Sequence, residues 1–203
     1  MTPAEISPAI CALSRELGVD GQPHYVDVRP VSGVERNDCF PIVESQIQEH
    51  GGISILGWSI WEWPTLFVEA EFHAVWKAPD QTLLDIAPKN APTQRILFLP
   101  DPSKRYEGRQ VNNVRKLISK HPAVAEFLNA SDDEYEFMNR GEREYQHGAI
   151  KLLDSEAKEF ARIQQRKAAC FIEMLKLKPG IGPYDPCLCG SGKKVKWCHG
   201  VIR

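Results

Sequence analysis

The chain has 203 residues, a formal net charge of −2, 42% hydrophobic and 26% charged residues, and six cysteines. That balance suits a folded soluble protein with a real apolar core, and excludes a disordered chain or a generally basic nucleic-acid binder. The longest apolar runs, such as residues 53–60, are short and interrupted by Ser and Gly, and residues 1–12 lack the basic opening of a secretory signal, so a cytoplasmic protein with reduced thiols is expected.

In chain order, residues 4–17 predict a short helix, with Ile6, Ile10, Leu13 and Leu17 recurring every three or four residues. Residues 24–28 read as a strand. A second helix opens at Asp38-Cys39-Phe40-Pro41, with Asp38 as the expected cap, and stops at Gly51-Gly52. Residues 53–63 and 66–77 alternate and are rich in Ile, Val, Phe and Trp, as paired strands are. Shorter strands follow at 83–86 and 95–99. Beyond residue 110 the spacing of Val111, Val114, Leu117 and Ile118 predicts helix up to Pro122, and Ser131-x-x-Glu134 has the form of a capping box opening an acidic helix. A long helix follows from Ile150 to Leu175, stopped at Pro179-Gly180.

The expected fold is therefore α+β: a helix packed on a mostly antiparallel sheet, a helical segment, and a small metal-binding tail. The expected divisions are 1–108 for the α+β body, 109–180 for the helical segment and 183–203 for the tail.

The tail carries the strongest signal. Pro186-Cys187-Leu188-Cys189-Gly190-Ser191-Gly192-Lys193-Lys194 leads through Val195-Lys196-Trp197 to Cys198-His199. Three thiolates and an imidazole suit tetrahedral zinc, and the Gly-Ser-Gly turn lets the second pair fold back on the first. With Lys193, Lys194, Lys196 and Arg203 and no acid, the last seventeen residues carry +4, against −6 for the rest. The lysines favour thiolate over thiol. A redox Cys-x-Cys or a disulfide pair is the alternative. The segment resembles the SEC-C motif, the C-x-C-x₈-C-[HC] zinc tail best known from the preprotein translocase motor SecA. The resemblance implies one structural Zn²⁺ held by Cys187, Cys189, Cys198 and His199. It also implies a protein partner for the basic tail, with ribosome or RNA contact as a further expectation.

In the body, Cys39 falls where a helix opens, and the positive end of a helix dipole stabilises a thiolate there. His73 lies in Glu69-Ala70-Glu71-Phe72-His73-Ala74-Val75-Trp76, where alternation groups it with Glu69 and Glu71 on the polar side. Asp85 follows on the next strand. It can share a face with His73 only if the intervening loop has an odd number of residues. The order resembles the transglutaminase-like branch of the papain-like cysteine hydrolases, with His73-Ala74-Val75-Trp76 and Asp85-Ile86-Ala87-Pro88 in the places of its His and Asp strands. The resemblance covers residues 36–90. It implies Cys39 as nucleophile, His73 as base and Asp85 as its orienter, acting on peptide or amide bonds. Two other readings stay open: Cys39 as a small buried apolar residue, and Glu69, Glu71, His73 and Asp85 as an oxygen-rich metal pocket. The stretch 132–144 reads as a solvated acidic face, and Cys11 and Cys170 as structural thiols.

Overall fold

In this computed structural model the described residues are 1–34, 39–89, 91–145, 152–177, 184 and 193–198. The expected cap Asp38 and the expected stop at Pro179-Gly180 lie outside them. Helix α1 spans Pro8–Glu16, with Ser7 as its cap and Pro8 in its first turn. It places Ile10 and Leu13 fully in the core, while Ile6 stays exposed ahead of it. Strand β1 (His24–Val28) and helix α2 (Cys39–His50) follow. The long strands β2 (Ile53–Trp63) and β3 (Phe67–Lys77) pair antiparallel along their whole length, from Ile53 opposite Lys77 to Trp63 opposite Phe67.

Strands β4 (Leu83–Asp85) and β5 (Arg95–Pro100) complete a closed, barrel-like ring in the order β2-β5-β1-β4-β3, sealed by β2 against β3. The β1–β4 ladder is parallel and its neighbours in the ring are antiparallel. A ring with helices outside it is a closed variant of the expected helix-on-sheet packing.

The ring has two apolar faces. Val26, Val75, Ile96 and Phe98, with Ile55, Trp61 and Leu83, come from all five ring strands and fill its interior. Outside, Ile10 and Leu13 of α1 pack on Trp58, Ile60, Val68, Ala70, Phe72, Leu97 and Leu99. Helix α2 packs Cys39, Ile42 and Val43 on Ala74, Ile86 and Ala87.

The expected helix after residue 110 is instead strand β6 (Val114–Leu117), which pairs with Phe67–Ala70 on the edge of β3. That edge was free to accept it, because β4 covers only Trp76 and Lys77. Pairing with an open edge outweighs a short apolar spacing that also fits a helix. The expected capping box is likewise corrected. Helix α3 (Pro122–Met138) starts nine residues before Ser131, capped by His121, whose side chain accepts the Ala123 N–H. Ser131 sits inside it and donates its hydroxyl to the Phe127 carbonyl.

After a 3₁₀ turn (Gly141–Tyr145), helix α4 (Asp154–Leu177) runs against α3. The stretch 132–144 is not merely a solvated face: Asp133 pairs with Arg166, Glu134 with Lys167, and Asp132 with Arg115. Val124 and Leu128 of α3 and Met174 of α4 bury Leu66 and Phe67 at the β2–β3 turn. A short helix α5 (Val195–Cys198) carries the described part of the tail.

Candidate functional site

The β3 edge is split between two partners: β6 takes residues 67–70 and β4 takes 76–77. Among the described residues, the stretch 71–75 has no ladder partner on that side, and His73 lies within this opening. The loop from β3 to β4 has five residues, 78–82, shaped by Gln81 at φ 74° and an Ala78 N–H bond to the Thr82 carbonyl. This odd count gives His73 and Asp85 the same parity. Trp76 faces Leu84 and Lys77 faces Leu83, so Asp85 falls opposite Val75, one diagonal from His73.

His73 Nε2 lies 3.2 Å from Asp85 Oδ1, with both side chains buried. Oδ1 also accepts the Ala87 N–H at 3.1 Å, which turns the chain after β4 and fixes the carboxylate. The expected polar strand face is thus a buried polar group beside the Val75 interior. Cys39 opens α2 and packs on Ile86 and Ala87, the two residues after β4, and on Ala74. There it is near enough to His73 for the charge of a Cys39 thiolate to act on the ring.

Electrostatics follow from this arrangement. Burial alone would strip the proton from His73. The negative charge of a Cys39 thiolate and hydrogen bonds to Asp85 and Cys39 outweigh it, Lys89 pulls the other way, and the pKa rises from 6.5 to about 9. Burial also opposes the Asp85 carboxylate, yet the hydrogen bond and charge of His73, helped by Lys89, hold its pKa below the ordinary value.

Lys89 is the member of this group that sequence reasoning missed. Its Nζ lies 2.5 Å from Asp85 Oδ2, an ion pair outside hydrogen-bond angles, and 3.4 Å from His73 Nε2. It also lines a shallow groove with Val28, Pro30, Pro92 and Thr93. The one available signal was the spacing Asp85-x-x-x-Lys89, which means little outside a helix.

The oxygen-rich metal pocket does not form. Glu69 is held by Arg115 at 2.6 Å, Glu71 accepts the Trp61 indole N–H at 2.9 Å, and an ammonium already stands beside Asp85. No metal-compatible cluster occurs among the described residues. Cys11 is exposed on α1 rather than packed, and Cys170 is half-buried, its thiol pushed up by burial and by Glu126.

In the tail, Cys187, Cys189 and His199 lie outside the described residues. Cys198 closes α5, one turn after the fully buried Val195. Trp197 is exposed, edge-on to Tyr184, with Lys194 over both rings.

No family model matches the chain, and no solved structure does. Curated relatives match it over a short stretch. SecA, the protein translocase subunit of Stutzerimonas stutzeri, is 35% identical over 60 residues, 30% of this chain and 6% of that protein. SecA of Borreliella burgdorferi is 47% identical over 38 residues, 19% of this chain and 4% of that protein. SecA of Xylella fastidiosa is 40% identical over 47 residues, 23% of this chain and 5% of that protein. The likeness is to the C-terminal region of SecA and fits a SEC-C-like segment. The chain therefore spans about a twentieth of the length of these relatives. Among the described residues, no helix is long and apolar enough to cross a membrane.

Proposed function

We propose that this chain is an interaction protein that works through a zinc-bound tail. The observation that carries the reading is the SecA-like segment, whose donor set of Cys187, Cys189, Cys198 and His199 fits tetrahedral zinc with no open position. Four protein ligands make the metal structural: bound zinc supplies the folding free energy that so short a segment lacks. The relatives are translocase subunits by name, which supports a protein partner connected with protein translocation. The basic residues and the exposed Trp197 supply a surface for such contact, or for the ribosome or RNA. The test is metal content of the full chain by mass spectrometry. About one zinc per chain is expected, falling to none in Cys187→Ser/Cys189→Ser; a wild-type chain purified without metal in zinc-containing medium would end the reading.

A second reading is favoured by one specific observation, the contact of His73 with Asp85, with Cys39 acting electrostatically on the same ring. Here Cys39 Sγ gives its proton to His73 and attacks the carbonyl of a peptide or amide bond, Asp85 orients the imidazolium, and His73 returns the proton to the leaving amine. The tail then addresses the protein and the body supplies the activity. A thiol-directed acyl probe should label Cys39 at least tenfold faster than Cys11 or Cys170. Equal rates at all three would remove the nucleophile from consideration.

A further inference from the structure

The Lys89 side chain is 13% exposed, the Asp85 side chain is fully buried, and no expectation from the sequence attaches to Lys89. Its place follows from charge. With Lys89 present, the group written as thiol, neutral imidazole, carboxylate and ammonium sums to zero. Moving the proton from Cys39 Sγ to the His73 ring leaves thiolate, imidazolium, carboxylate and ammonium, and the sum is still zero. With a neutral side chain at position 89 both states carry −1, and a buried net charge is expensive enough that the group would hold an extra proton instead.

Geometry adds a second role. Asp85 Oδ1 is shared between His73 Nε2 and the Ala87 N–H, and the contact with Lys89 is made by Oδ2. The cation thus fixes the second corner of a carboxylate whose first corner orients the ring. We propose that Lys89 is a positioning residue of this site: it clamps Asp85 so that Oδ1 faces His73, and it keeps the buried group neutral whichever of Cys39 and His73 holds the shared proton. The catalytic meaning of that role rests on the second reading above; the charge balance does not.

The groups facing His73 among the described residues support the assignment. Helix α2 contributes Cys39, β4 contributes Asp85, and the following loop contributes Lys89. The opposite residue on β2 is Gly57, and Glu71 on the same strand is engaged by Trp61. Lys89 is thus the cation acting on His73, and it pulls the His73 pKa down.

The experiment is an NMR titration of the His73 ring in the full chain, as wild type, Lys89→Met and Lys89→Arg. Removing the charge should raise the midpoint by about 1 pH unit, and Lys89→Arg should stay within about 0.3 unit of wild type. A Lys89→Met midpoint within about 0.3 unit of wild type, or the same shift in both variants, would overturn the proposal. If Lys89→Met is too unstable for the NMR titration, its urea midpoint is compared with wild type from about pH 6 to about pH 10. A deficit that grows as pH rises, as His73 gives up the extra proton, supports the assignment, and an equal deficit at about pH 6 and pH 10 overturns it. Acyl-probe labelling of Cys39 is scored separately. Unselective labelling with a shifted His73 midpoint rejects catalysis and keeps the Lys89 role. Selective labelling with an unshifted midpoint does the reverse.

Discussion

His73 and Asp85 meet diagonally across the β3–β4 hairpin, Nε2 to Oδ1 at 3.2 Å, because five residues rather than four join the strands. One residue fewer would put the carboxylate on the outer face with Ala74 and Trp76. The pair also couples stability to pH. The His73 pKa is raised to about 9, so its contribution is fully present below the unfolded value near 6.5 and is lost as pH rises from there through 9. The Asp85 pKa is lowered, so its contribution is present above the unfolded value near 4 and is lost in acid. Stability should therefore peak between about pH 4 and 6.5 and fall toward pH 9.5. Urea unfolding of wild type and His73→Gln across this range tests it. A His73→Gln curve parallel to wild type would show that the histidine does not carry the alkaline loss.

Gly57 faces His73 across the β2–β3 ladder and Pro100 across the β2–β5 ladder. A Cβ there would meet the Leu99 carbonyl oxygen at 2.2 Å, Phe98 Cζ at 2.8 Å and Pro100 Cα at 2.8 Å. Two of these atoms are backbone and cannot turn away. Gly57→Ala should cost about 3 kcal/mol or more and disturb the His73 ring environment. Gly21→Ala, whose Cβ meets ordinary contacts at 3.7 Å, should stay within about 0.5 kcal/mol. Equal denaturation midpoints for the two variants would contradict the close approach of β5.

Arg115 ties three elements together. Its Nε donates to Glu69 of β3 at 2.6 Å, and one terminal nitrogen donates to Asp132 of α3 at 2.8 Å. The side chain is nearly buried, so Arg115→Met leaves Glu69 without its cation and should cost about 2–3 kcal/mol. Arg115→Lys should recover less than half of this, because an ammonium cannot reproduce the fork. Thermal unfolding of both variants decides it, and a fully rescuing lysine would reduce Arg115 to a point charge.

The sequence periodicity made some of this legible and hid the rest for identifiable reasons. β2 and β3 were readable to within a residue because eleven-residue alternation with Ile, Val, Phe and Trp has no helical counterpart. β6 was not, since Val114 and Leu117 are three apart and only the free edge of β3 makes them a strand. Ser131 misled because a capping box is a local pattern, while the start of α3 is set earlier, by Pro122 behind His121. Cys39, His73 and Asp85 were named by residue type and order, yet their contact depended on a loop length that sequence left undecided. Lys89 comes from irregular backbone, where spacing says nothing about which side chains meet.

The tail and the body should respond independently to metal removal. Among the described residues, the apolar clusters of the ring include none from the tail. Chelation with the full chain should therefore release about one zinc and expose the cysteine thiols at 187, 189 and 198 to a thiol reagent, while the cooperative thermal unfolding of the body shifts by less than about 2 °C. Cys198→Ser should weaken zinc retention by a factor of ten or more, since the remaining three donors leave an open position that water fills. Cys11→Ser, on the exposed surface of α1, should leave zinc content unchanged. A large drop in body stability on chelation would instead mean that the metal is built into the main core.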